Sequence, residues 1–170
     1  MEKTMELKKL NDTFYVDNPI VNQALDFDST TGSWMRYDQN GVEKIRGHGV
    51  VQIQINNLIF AIPVRSNIKH NECLLLEVNR GQDRRVKGMG LDYSKALLIR
   101  DASHVSDEPF VLRSKAAGRK LVGKADHVAK QFNLYVNKYV KAVRDGDRNI
   151  LNSDEYRYTT LINYHTEIGL

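Results

Sequence analysis

The chain has 170 residues, 41% of them hydrophobic and 27% charged, which is enough apolar material for one core and points to a single domain over residues 1–170. Eleven glycines and three prolines argue against long disorder, and the single cysteine excludes an internal disulfide or a cysteine-rich metal site. A net charge of +4 mildly favours a polyanionic partner, most often nucleic acid.

The opening "MEKTMELKKL" lacks a signal peptide's apolar core, and no apolar run approaches the roughly 20 residues of a membrane span. A cytoplasmic protein is expected. Phe14 to Val16 reads as a short strand, and Ile20 to Leu25 as a short helix with Pro19 in its first turn. Residues 29–46 are polar, with Gly32 and Asn40-Gly41 as turn signals. In "GVVQIQI", Val51, Ile53 and Ile55 alternate with Gln52 and Gln54, the period of a half-buried strand. Asn56-Asn57 then turns the chain into "LIFAI", which predicts a hairpin. "CLLLEV" and "KALLIR" add two strands, separated by the basic loop "NRGQDRRVKGMG". Val128, Phe132, Tyr135, Val136, Tyr139 and Val143 recur at steps of three or four, one apolar helix face. "RDGDRN" interrupts it. Asn152 with Glu155 suggests the cap of a last helix that shows Tyr158, Leu161, Ile162 and Ile168 to the core. The expected fold is α+β: a compact antiparallel sheet with C-terminal helices packed on it.

Three clusters could carry chemistry. The first is "RSNIKH", where a strand runs into Arg65, Ser66, Lys69 and His70. Cutting RNA without a metal needs an in-line attack by the 2′-hydroxyl, fixed donors for the charge on the phosphoryl oxygens, and a proton for the leaving 5′-oxygen. Cations, a hydroxyl and an imidazole can fill those roles, and a strand end can aim them. The alternative is a surface loop whose basic residues face water. The second cluster is "EKIRGHGV", in which Lys44, Arg46 and His48 alternate and would share one strand face. A polar strand end with a bulge would look the same. The third comprises Arg80, Arg84, Arg85 and Lys87, and the carboxylate-free run "RSKAAGRKLVGK" with Lys115, Arg119, Lys120 and Lys124. Such runs contact phosphates or are merely solvated.

Other chemistry is poorly represented. Asp26 and Asp28 have no second acidic motif at metal-ligand spacing. His127 and His165 fall in expected helices without a partner four residues on. No metal and no other cofactor is expected. There is no phosphate-binding Gly-x-x-x-x-Gly-Lys loop and no dinucleotide fingerprint. Cys73 reads as a small side chain packed in a strand rather than as a nucleophile.

"GHGVVQIQINNLIFAIPVRSNIKHN", "KGMGLDYSKALLI" and "ILNSDEYRYTTLINYHTEIGL" together resemble the toxins of type III toxin–antitoxin systems. The nearest branch is the one called TenpN or CptN, with ToxN and AbiQ more distant, and the resemblance runs from about "FYVDN" to the end. It implies a metal-independent, sequence-specific endoribonuclease that leaves 2′,3′-cyclic phosphate and 5′-hydroxyl ends on mRNA and on its own antitoxin. The implied fold is the small twisted barrel of the Kid and MazF toxins with added helices. The implied partner is a repeated RNA pseudoknot, processed by the toxin and held with it in a closed protein–RNA assembly. Phage defence or plasmid maintenance would be the setting. By this resemblance Ser66 matches a family serine directly and Arg65 stands where relatives carry threonine. Lys69 falls one place from the family lysine, and Lys44 or Arg46 would serve for a lysine ahead of the first barrel strand. His70 ranks behind Ser66 and Lys69. The competing readings are a non-catalytic RNA- or DNA-binding module and a structural subunit whose charge serves solubility.

Overall fold

The computed structural model describes residues 5–24, 27–28, 33–34 and 49–170. After β1 (Lys8–Leu10), the segment Thr13–Asp17 forms a one-turn helix, α1, rather than the expected strand. Phe14 and Tyr15 are buried by it, ring edge against ring face at 5.0 Å, so adjacent side chains anchor a turn where period-two alternation would have split them. The expected helix after Pro19 is a turn around residues 22–24, with Gln23 in the left-handed region. Two two-residue strands, β2 (Phe27–Asp28) and β3 (Ser33–Trp34), pair with each other.

The hairpin of β4 (Val50–Ile55) and β5 (Leu58–Ile68) is as expected, with Asn56 at positive φ in its turn. Val51, Ile53 and Ile55 are buried while Gln52 and Gln54 are exposed. β5 runs further than its apolar run suggests, through Pro63 and the whole of "VRSNI". The Val64 amide donates to the Gly49 carbonyl at 2.8 Å, so the nitrogen of Pro63 faces the other edge. There the pairing with β8 (Leu97–Leu98) has ended at Ala61 and that with β7 (Gly88–Asp92) begins at Val64, so proline breaks no ladder.

β6 (Cys73–Val78) is present as expected, and "GMG", expected as the end of the loop, opens β7 between β5 and β6. Two glycines hide a strand from a propensity argument, yet the pairing with β6 requires both, since a Cβ on Gly88 would lie 2.0 Å from the Glu77 carbonyl oxygen. A Cβ on Gly90 would lie 1.9 Å from the Leu74 carbonyl oxygen. With β9 (Val105–Pro109), the described strands form a seven-stranded antiparallel sheet, ordered β6-β7-β5-β4-β1-β9 with β8 beside β5. The sheet is open. β6 and β9 are its edges, and no pairing among the described residues closes it into the expected barrel.

The helices follow the sheet. α2 (Lys115–Leu121), not expected from the basic run, is capped by Ser114, whose hydroxyl accepts from the Ala117 amide. α3 (Ala125–Asp145) buries Val128, Phe132, Tyr135, Val136 and Tyr139, as the periodicity requires. Gly146, left-handed at φ 62°, ends it. α4 (Arg148–Leu151) is a single turn with Asp147 as its N-cap and Asn152 at its C-terminal end. The expected last helix is instead turns and a short 3₁₀ segment, Thr160–Asn163. Leu161 is buried, but Tyr158 and Ile162 are more than half exposed.

Aromatic packing joins these layers. Phe132 meets Phe60 of β5 edge-on at 5.2 Å, and Tyr135 stacks on Tyr156 at 4.5 Å. The hydroxyl of Tyr135 donates to the Glu155 carbonyl and that of Tyr156 to the Tyr135 carbonyl, so both of these stacked phenols meet an acceptor. Lys95 donates to the carbonyls of Gln23 and Tyr158 at 2.8 Å each, and Thr160 donates to that of Ala96. These bonds pin the C-terminal turns to the sheet.

Candidate functional site

β5 carries a bulge where the candidate residues begin. Arg65 pairs with Gly90 and Ile68 with Gly88, so Ser66 and Asn67 oppose Met89 alone. Asn67 takes φ 57°, a conformation asparagine tolerates better than most residues. Ser66 and Asn67 are exposed. They line an open cleft of about 480 Å³ between β6, the loop 79–87 and α2. Arg80, Lys120 and Glu77 supply its charged groups. Asn79 shapes the loop: its side-chain amide donates to the carbonyls of Asp83 and Val86 and its oxygen accepts from the Gly81 amide.

Behind the bulge lies a buried polar hub. Asp92, the last residue of β7, is fully buried. Its Oδ2 accepts from Arg65 Nη1 at 2.7 Å, and its Oδ1 accepts from the Ser94 amide at 3.0 Å and the Ser94 hydroxyl at 2.6 Å. His70 Nε2 lies 2.9 Å from the same Oδ1. Since His70 Nδ1 accepts from the Glu72 amide at 3.1 Å, its proton sits on Nε2 and is donated to Asp92. Burial pushes the Asp92 carboxyl up. The hydrogen bond from His70, the Arg65 guanidinium and the Ser94 hydroxyl outweigh burial and hold it well below the usual carboxylate range. Arg65 Nε is buried with no acceptor, so Asp92 is this guanidinium's only ionic partner among the described residues.

The expected cluster is thus divided. Ser66 faces the cleft, Lys69 is exposed in the connection beyond β5, and Arg65 and His70 are bound to Asp92. His70, only 7% exposed with both ring nitrogens engaged, has none left over for a substrate proton. Lys69 is not among the residues lining the cleft; in the basic loop, hydrogen bonds from Arg85 and, least, the charge of Lys69 favour ionisation of Asp83. Of the third cluster, Lys120 lines the cleft, while Lys115, Arg119 and Lys124 are exposed on or next to α2. Arg84, Arg85 and Lys87 are exposed on the loop, and Arg85 makes a two-pronged pair with Asp83 at 3.1 Å. Lys44, Arg46 and His48, with Asp26, lie outside the described residues.

Burial pushes the Cys73 thiol up to about 12, which leaves it a poor nucleophile, and its sulfur sits 3.7 Å from the His70 carbonyl. His127 is exposed on α3, and His165 lies in the C-terminal turns 2.6 Å from the Tyr139 hydroxyl. Among the described residues no three His, Cys, Asp or Glu side chains gather as they would around a metal ion. No described helix is long and apolar enough to cross a membrane.

Sequence reasoning missed Asp92, Ser94, Asn67 and Glu77. The available signal was "GMGLD", where two small residues followed by a strand-end aspartate mark close backbone approach and a capping carboxylate. No family model, no characterised protein and no solved structure matches the chain.

Proposed function

We propose that the chain is a metal-independent endoribonuclease, the toxin of a type III toxin–antitoxin system, acting in the cytoplasm on cellular or phage mRNA. Its inhibitor would be a short repeated RNA pseudoknot, bound with the protein in a closed assembly and cut by it. The observation that carries the reading is the bulge: a rigid sheet turns Ser66 and Asn67 into a cleft whose charged groups include Arg80 and Lys120. Strand bulges re-aim side chains at functional sites, and cations with a hydroxyl suit a phosphodiester. The antiparallel sheet with helices is compatible with a Kid or MazF scaffold in an opened form.

In this mechanism the 2′-oxygen forms a bond to phosphorus as the bond to the 5′-oxygen breaks. The 2′-hydroxyl gives its proton to solvent water and the 5′-oxygen takes one from it, leaving a cyclic phosphate and a 5′-hydroxyl. Ser66 orients the phosphate, Arg80 and Lys120 in the cleft stabilise the charge on its oxygens, and Lys69 adds its charge from outside the cleft lining. Arg65 and His70 act indirectly: through Asp92 they hold the strand that carries Ser66.

The same engagement of Arg65 and His70 favours the second reading, a non-catalytic RNA- or DNA-binding module, because it removes an imidazole from the proton-transfer groups available. The deciding experiment incubates the protein with RNA in excess chelator and maps the ends. New 5′-hydroxyl and cyclic phosphate ends, lost about 100- to 1,000-fold in folded Ser66→Ala, support the nuclease. Tight binding with intact RNA supports the module. Cleavage only after magnesium is restored refutes the proposed chemistry.

A further inference from the structure

The cleft holds one acidic side chain. Glu77 on β6 lines it beside Arg80 and Lys120 and is exposed. Its carboxylate makes no ion pair or hydrogen bond with any described residue. A groove shaped only for phosphates would gain nothing from a carboxylate, which repels them. Glu77 pairs across the sheet with Met89, the residue that faces the Ser66–Asn67 bulge. Two strand spacings, roughly 10 Å, therefore separate the bulge from Glu77, a distance suited to the reach from a phosphate to the edge of a neighbouring base. Val86 and Met89, both half-buried, offer the cleft an apolar surface for a base's face.

What a carboxylate can take there is a group with N–H donors. Guanine presents N1–H and its 2-amino group side by side, pointing the same way, and a carboxylate's two oxygens accept both. Adenine and cytosine offer one amino group beside a ring acceptor that a carboxylate repels. Uracil offers one N–H between two carbonyls. Single-stranded RNA is read in this manner, by hydrogen bonds to the Watson–Crick edge of an unstacked base. Resting on the reading of the cleft as an RNA site, we infer that Glu77 is a specificity-determining residue that selects a guanine next to the phosphate held at the bulge.

The test uses short single-stranded RNAs with G, A, C, U or inosine at each position flanking a cleavage site, cut by wild type, Glu77→Gln and Glu77→Ala. Inosine keeps N1–H and lacks the 2-amino group. The expected result is a guanine preference at one flanking position, lowered about 10-fold by inosine, since a hydrogen bond to a charged group is lost. The preference collapses in both variants, whose folding is checked by thermal melting. Wild type with no guanine preference, or Glu77→Ala with the wild-type preference intact, overturns the inference while leaving the nuclease standing. If wild type cuts no RNA, the nuclease reading fails. The same sequences as 2′-O-methyl oligonucleotides, followed by fluorescence anisotropy, then decide the inference alone. Tighter binding of guanine than inosine in wild type but not in Glu77→Ala supports it, and equal affinities overturn it.

Discussion

Asp92→Asn removes one charge from a fully buried position and changes almost no volume. The asparagine oxygen can still accept from His70 and Ser94, so those bonds survive. Its amide nitrogen must then face Arg65 Nη1, donor against donor, where the carboxylate accepted at 2.7 Å. The guanidinium loses its ionic partner while Nε is already buried without an acceptor. Breaking one side of a buried pair costs about 3–5 kcal/mol, which for a chain of this size lowers the melting temperature by about 10 °C. Urea and thermal unfolding measure this, and Arg65→Met added to Asp92→Asn should recover part of the loss by removing the stranded charge. The pH dependence gives a second readout. The folded pKa lies below the unfolded value of about 3.9, so the Asp92 contribution is present above that value and disappears as pH falls through the folded pKa. Wild type should lose stability below about pH 4, and Asp92→Asn should show a shallower acid limb. A single variant within about 1 kcal/mol of wild type, or a double variant no better than the single, would refute the hub.

Lys69→Ala should fold normally, because the side chain is exposed beyond β5, yet lose about 100- to 1,000-fold in RNA cleavage. A folded variant that cuts at the wild-type rate removes Lys69 from the site. Neutralising Arg119 and Lys120 together should flatten the salt dependence of RNA binding by about 0.7 per lost phosphate contact, read from affinities across a salt series. Gly90→Ala should cost at least about 2 kcal/mol in urea unfolding, because the new Cβ would collide with the Leu74 carbonyl at 1.9 Å and β6 would have to move.

Where local pattern and burial coincide, the sequence alone determined the outcome. The alternation of Val51, Ile53 and Ile55 and the stripe from Val128 to Tyr139 each present one apolar face, and each folds as its period requires. Gly146 ends α3 for an equally local reason, a left-handed backbone without a Cβ penalty. "GMG", "TFYVD" and the residues after 152 went otherwise because their conformations answer to neighbours distant in sequence. β7 exists because β5 and β6 flank it, α1 because Phe14 and Tyr15 have a shared place to bury, and the final turns because Lys95 and Thr160 tie them down. The candidate site divides along the same line. "RSNIKH" was legible as a cluster of phosphate-handling residue types, but sequence adjacency says nothing about sides of a sheet. Only the tertiary structure, by bringing Asp92 from 22 residues beyond His70, took Arg65 and His70 into a buried hub. A strand bulge then left Ser66 on the cleft. The physical reason is that a buried carboxylate must gather donors from wherever the fold supplies them.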